Sequence, residues 1–477
     1  MGKLQPVKVL TDSEIEMVHE TALRVLGEVG MSLPEPAIAS RMIEAGAWRE
    51  HTNGYIHISQ DMVETALKKA THHFSLYDRL GGELPLNAGN HFHASGSGNL
   101  RVEDYPSGQI RTPSLDDMIS FTRLGDALPL IKGVTPHFLR LDQNLHPDVE
   151  ELYIFQAMVK NTSKQCWTAP RNEHTCRAWL DLGDILAGEH KLSERPVIHL
   201  LVASTAPLSW DIDSVRNLVL GAERGVPVVI LGGPICGASA PLTLAGALVN
   251  RTAEWLFGLT LAQIVHPGLP ILLGDVGSSI LDMRTADLST GGPEYAVSSI
   301  AGVQMADFYD LPSYSCTPWT DSKVMDAQFG AESLGGWLSA AASGVDISLN
   351  AGSLNRVTTG SLEAMIIHHE LLLWMERYLA GITVNEETLA FEAIQRVGPS
   401  GSFLSDKHTL SWLRRGENIY LRLFDRTATS NVIRNILEVA HGKAEELLGS
   451  HPSNVPVSLC QEIDDFVRDV EPALNKS

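Results

Sequence analysis

From about residue 90 onward the chain alternates two hydrophobic patterns. Short, nearly unbroken apolar runs end in Gly, Pro, Ser or Thr, and between them lie longer segments with helical spacing or many small residues. The runs are HFHASGSG, IKGVTPHF, KQCWTAP, PVIHLLVASTAP, VPVVILGGP, LPILLGDVG, LPSYSCTP and VDISLNAG. Runs of this kind read as strands buried on both faces, and a helix between successive strands is what a parallel crossover requires. Eight such units over roughly 260 residues predict an α/β fold, a (β/α)8 TIM barrel, which typically takes about 250. A doubly wound open sheet is the competing arrangement. The segment NLRVEDYPSGQIRTP after the first strand reads as a β-hairpin insertion turning at Ser107-Gly108.

The flanks have helical rhythm. Residues 1–90 read as an N-terminal helical layer, opened by TDSE, in which Thr11 and Glu14 have capping-box spacing. LPEPAIASRMIEAGA and SQDMVETALKKATHH predict two further short helices. The barrel is assigned to 91–360. A C-terminal helical extension packed on it is assigned to 361–477, beginning with a helix from about Ser361 to Leu379.

Charge narrows the function classes. Lys+Arg 36 against Asp+Glu 57 gives −21, which argues against non-specific binding to nucleic acid or to an anionic membrane. The longest uncharged run, Gly225 to Asn250, is interrupted by Pro227, Pro234 and Pro241 and reads as strand, turn and helix start. Five cysteines without CxxC spacing, and an N-terminus without a signal-peptide pattern, lead us to expect a reduced, cytoplasmic protein. The bulky, nearly uncharged helix from Leu242 to Val265 calls for cover by other helices or a second subunit, hence an expected homo-oligomer.

In a parallel barrel the chemistry gathers at the C-terminal strand ends. The residues there are His93 and Ser95, His137, Trp167 and Thr168, Ser204, Thr205 and Trp210, and Cys236 and Ser239 on the first five strands. Asp275 and Ser278, Cys316 and Trp319, and Asn350, Asn355 and Arg356 follow on the last three. The pair His91 and His93 invites a metal-dependent hydrolase reading, but the fourth strand has its His199 in mid-strand and the fifth and sixth end in LGGPICG and LGDVG without histidine. Lys132 and Lys164 lie at strand starts, the wrong side for a Schiff base, and GGPICGASAP matches no nucleotide fingerprint. Small polar groups and tryptophans dominate.

The stretches GASAPLTLAGALVNRTAEWLFGLTLAQIVHPGLPILLG, LDMRTADLSTGGPEYA and TDSKVMDAQFGAESL, together with VNEETLAFEAIQRVGPSGSFLSDKHTL, resemble the trimethylamine methyltransferase family over nearly the whole chain. The resemblance implies a (β/α)8 barrel that passes a substrate methyl group to the Co(I) corrinoid (cobalamin) of a separate corrinoid protein. The family's trimethylamine enzymes carry pyrrolysine near the end of the seventh strand. This chain has ordinary residues throughout YSCTPWTDSKVMDAQ, so it is similar to the branch without pyrrolysine, which is associated with quaternary amines such as glycine betaine.

On that resemblance the expected activity is demethylation of glycine betaine to dimethylglycine, with no resident metal. Aromatic faces hold quaternary ammonium by cation–π attraction, so Trp167, Trp319 and Trp210 are the expected cage. His93, Arg356 and the backbone N–H groups of GGPICG are candidate partners for a substrate carboxylate, Asp275 is a counter-charge for the ammonium or a loop-capping carboxylate, and Cys316 is a small filler of the same neighbourhood. The alternatives are a non-catalytic betaine-binding protein and the metal-dependent hydrolase.

Overall fold

A computed structural model of the chain describes residues 6–96, 98–142, 144–275, 279–426 and 435–475; Ser278 lies outside them. Eight parallel strands close into a barrel. They are β1 (Phe92–Ser95), β2 (Ile131–Val134), β3 (Gln165–Thr168), β4 (Ile198–Ala203), β5 (Val228–Gly232), β6 (Ile271–Asp275), β7 (Ser313–Ser315) and β8 (Ile347–Ala351). They follow one another around the barrel in chain order, and β8 pairs with β1 to close it. Eight helices return the chain: α1 (Leu115–Ala127), α2 (Pro147–Val159), α3 (Glu173–Ala187), α4 (Ile212–Glu223), α5 (Leu244–Val265), α6 (Pro293–Phe308), α7 (Ala327–Ser343) and α8 (Leu362–Leu379). The last of these packs on α7 and β8 and is the barrel's eighth helix.

The strands are apolar throughout because both of their faces are buried. On β4, Ile198, Leu200 and Val202 pack toward the helices, while Leu201 and Ala203 join a separate cluster inside the barrel. On β5, Val228 and Ile230 face out and Val229 and Leu231 face in. This alternation decides which strand residues can meet a ligand in the lumen.

Residues 6–90 differ from the helical expectation in two places, one of them a short antiparallel pair of Trp48–Arg49 with Ile56–His57. Helices Asp12–Arg24, Pro36–Glu44 and Gln60–Lys69 form, and Thr11 and Glu14 make the reciprocal capping bonds. Residues 74–86, however, form a β-hairpin, Phe74–Tyr77 against Glu83–Leu86. Its Leu76 and Leu86 enter the inner cluster beside Phe92, and Tyr77 and Arg79 donate backbone N–H to the carbonyls of Pro196 and Ser163, just before β4 and β3. The hairpin therefore closes the N-terminal end of the barrel. Period-two spacing of Phe74, Leu76, Leu84 and Leu86 around Gly81-Gly82 is the reason it is a hairpin.

Helices Asp12–Arg24 and Gln60–Lys69 lie on α5. The chain covers its own apolar helix, so that helix gives no ground for a second subunit. No helix among the described residues is long and apolar enough to cross a membrane. At the opposite end, the expected hairpin forms as Arg101–Asp104 against Gln109–Arg111 and joins Ser353–Leu354 and Thr359–Gly360 in one small sheet. A second hairpin, Ile280–Asp282 against Asp287–Ser289, follows β6. C-terminal helices Ile436–Ser450 and Val457–Leu474 pack on α8 and α1 and on α2 and α3, respectively.

Candidate active site

The lumen cluster contains Ala94, Trp167, Leu201, Val229, Leu231, Leu272, Tyr314, Cys316, Ile347 and Leu349, with Ala203 and Trp319 packed against it. None of these side chains carries a charge. Trp167 crosses the barrel from β3 toward β7, where its indole N–H donates to the hydroxyl oxygen of Tyr314 at 2.9 Å. The ring fits because β2 has Gly133 at the facing inward position, where a Cβ would overlap the indole. Gly274 plays the same part on β6, since a Cβ there would lie 2.5 Å from Leu231 and 3.3 Å from the Tyr314 ring. Below Trp167, His199 stacks at 4.6 Å and shares a 3.0 Å hydrogen bond with Gln165. Burial pushes His199 down to about 3, so it sits in the lumen as a neutral ring.

Beyond Tyr314 the seventh strand gives way to a turn whose ends are fixed. Cys316 donates its backbone N–H to Asp275 at 3.2 Å, and its carbonyl accepts from the side-chain amide of Asn350. Pro318 then ends the ladder because it has no N–H to give. On the far side, Glu332 of α7 accepts from the Thr320 hydroxyl at 2.7 Å and the Asp321 N–H at 2.8 Å. Trp319 is held between these anchors. Its ring is partly exposed, tilted against Tyr295 at 5.9 Å, and its buried indole N–H has no partner among the described residues. Burial, and next the nearby Asp275 charge, hold the Cys316 thiol well above its ordinary range, so it is neither thiolate nor nucleophile.

Of the residues expected from the sequence, Trp167, Cys316 and Trp319 therefore share one lumen cluster. The other four do not join it. His93 alternates with the inward Phe92 and Ala94 and so faces the helices, bonded to Ser348 at 2.9 Å and 3.6 Å from Glu376. His91 follows it, sharing the Ser348 hydroxyl at 3.1 Å. Among the described residues no three His, Cys, Asp or Glu side chains converge on a common point. Trp210 is buried outside the barrel, packed where Gly258 leaves room on α5, because its backbone N–H is tied to Ser32 of the N-terminal layer.

Asp275 points outward with Ile271 and Leu273 and pairs at 3.0 Å with the fully buried Arg251. That guanidinium also lies 5.0 Å over Trp255 and donates to the Ser298 carbonyl at 2.9 Å. Asp275 is thus a structural counter-charge within the helical layer. Arg356 is at the rim: its backbone N–H bonds to Thr320 at 2.7 Å, but its guanidinium is held by Asp287 at 2.9 Å.

Two residues were missed. Tyr314 lies inside the seventh run rather than at its end, and its shared parity with Cys316 is the signal that marks it. Tyr295 stands in the first turn of α6, where nothing in the pattern marks it.

The model of the trimethylamine methyltransferase (MTTB) family matches residues 1–469. The chain belongs to the trimethylamine methyltransferase family. It is 31% identical over 475 residues to the glycine betaine methyltransferase of Desulfitobacterium hafniense strain Y51, covering 97% of this chain and 96% of that one. It is 28% identical to the trimethylamine methyltransferase MttB of Desulfitobacterium hafniense strain DSM 10664 / DCB-2, covering 97% and 93%. Among solved structures, the monomethylamine methyltransferase MtmB of Methanosarcina barkeri superposes with a TM-score of 0.49 at 12% identity, covering 93% and 96%. With ordinary residues from Tyr314 to Gln328, this methyltransferase fits the branch of the family without pyrrolysine.

Proposed function

We propose that this protein removes a methyl group from a quaternary amine, with glycine betaine as the leading substrate and dimethylglycine as the product. The methyl acceptor is the Co(I) corrinoid of a partner protein. One observation carries the reading: three aromatic rings, Trp167, Tyr314 and Trp319, gather in one cluster inside the barrel. Similarity to a glycine betaine methyltransferase at 31% identity supports the substrate class.

Attack of Co(I) on a methyl carbon transfers CH3, and the broken C–N bond leaves its electron pair on nitrogen as a neutral tertiary amine. That leaving group needs no proton, so the reaction needs no general acid. The chain's own tasks are then three. Ring faces hold the cation, each worth about 2 kcal/mol once desolvated. The anchored turn around Trp319 fixes the direction in which a methyl group points. The hairpin at the N-terminal end closes the lumen, so the acceptor approaches from the C-terminal end and water is kept from its path.

The test is to mix the protein with cob(I)alamin and a panel of glycine betaine, carnitine, γ-butyrobetaine and trimethylamine. Loss of the Co(I) absorbance with a quaternary amine supports the proposal. Binding without that loss, even with a corrinoid protein present, supports a non-catalytic betaine-binding role instead.

A further inference from the structure

We propose that the Trp167–Tyr314 pair is the subsite for the substrate's carboxylate, and so the feature that separates betaines from quaternary amines without an acid group. The inference rests on the function proposed above and adds which residues read the anionic end.

Tyr314 is 2% exposed and faces the lumen between Gly274 and Ile347 of the neighbouring strands. Its hydroxyl oxygen accepts from Trp167 at 2.9 Å. A phenol has one proton of its own, and among the described residues that proton has no acceptor. Trp167 cannot turn to change this, because its ring is clamped between the stack on His199 and the space at Gly133. Burial also keeps the phenol protonated, so it remains a donor at any ordinary pH.

Direction argues the same way. The N-terminal end is closed, and a methyl group that must meet a corrinoid on another protein has to face the C-terminal opening. The carboxylate of the same small molecule then points inward. Tyr314 lies one inward position deeper than Cys316, about 7 Å along the strand, a depth comparable with the length of a betaine. A carboxylate among Leu201, Leu231 and Leu349 without a donor would be strongly disfavoured. A phenol proton supplies a charge-assisted hydrogen bond. The rim alternatives are engaged or nearer the opening: Asp287 holds Arg356, and the indole N–H that has no partner among the described residues belongs to Trp319 at the mouth.

Calorimetric titration of the full chain with glycine betaine and with tetramethylammonium tests this. Tyr314→Phe keeps the ring and removes the hydroxyl, so the preference for glycine betaine over tetramethylammonium should fall about 10- to 100-fold. Trp167→Phe releases the hydroxyl from its fixed orientation and should lower the same preference about 3- to 10-fold. It serves as the second readout should Tyr314→Phe fail to fold. An unchanged preference in the folded variants, or its loss in Trp319→Phe instead, overturns the proposal while leaving the parent reading standing. A wild-type protein that binds neither ligand overturns the parent reading.

Discussion

The indole N–H of Trp167 and the hydroxyl oxygen of Tyr314 meet at 2.9 Å across the barrel, tying β3 to β7. Their rings stand edge to face with centroids 6.4 Å apart. This bridge divides the lumen. Below it lie His199, Gln165 and the closing hairpin; above it lie Cys316, Trp319 and the opening. The upper part is where a substrate and an externally delivered methyl acceptor can meet.

The bridge depends on a missing side chain. Gly133→Ala places a methyl group where the Trp167 ring lies, and overpacking of this kind costs about 1–3 kcal/mol. Denaturant unfolding should show that loss, and the near-ultraviolet dichroism of tryptophan should change with it. A variant of wild-type stability and spectrum would mean that the indole does not occupy this space.

Asp275 and Arg251 should behave as a structural pair. Asp275→Asn removes the charge opposite a fully buried guanidinium, and breaking a buried pair costs about 3–5 kcal/mol. The folded variant should bind glycine betaine with unchanged affinity. Retained stability with lost affinity would return Asp275 to the binding site.

Trp319 is expected to act on binding rather than folding. Its ring is partly exposed and its turn is anchored through Cys316, Thr320 and Asp321, none of which needs the indole. Loss of one cation–π face worth about 2 kcal/mol predicts that Trp319→Ala raises the Kd for glycine betaine about 30-fold. The thermal midpoint should change little. Equal affinity in calorimetry would remove the ring from the site.

Stability should fall as the solution is acidified. Burial pushes His93, His137, His199 and His368 down to about 3 and His369 to about 4. The unfolded chain protonates these rings near their ordinary value of about 6.5 while the native protein does not, so lowering the pH favours unfolding. Each contributes up to about 1.4 kcal/mol per pH unit in that window. Burial raises Glu151 to about 7, Asp307 to about 6, and also Glu103, Glu254 and Asp346, and these work the opposite way; the lowered histidines, with His19 and His91 added, outnumber them. The unfolding free energy should therefore drop between pH 6.5 and 4.5. A flat or rising profile would show that these histidines are not buried as neutral rings.

How far the sequence reached follows from what its pattern encodes. Runs such as VPVVILGGP and LPILLGDVG mark strands because both faces are buried, and all eight barrel strands were legible for that reason. The same property hides orientation. A run that is apolar on both faces does not say whether His93 or Ala94 looks inward, and here the odd position faces the helices. Asp275 fails in the same way, since its outward parity is set by the barrel's closure. The sequence places Trp210 at the mouth, but its loop is drawn to Ser32, nearly two hundred positions earlier in the chain, which local spacing cannot reveal. The hairpin at 74–86 was hidden by the helices before it. The Cys316–Trp319 turn stands out in the sequence because a proline and a large ring break the strand pattern, and Trp167 stands out as a large ring at the end of the third run.

The most direct measurement uses glycine betaine carrying carbon-13 in its N-methyl groups, incubated with this protein and a reduced corrinoid protein and followed by NMR. The account predicts equal amounts of dimethylglycine and labelled methyl on the corrinoid, with neither formed when the chain is omitted. Intact betaine after prolonged incubation with an active corrinoid, and with every other quaternary amine of the panel, would contradict it.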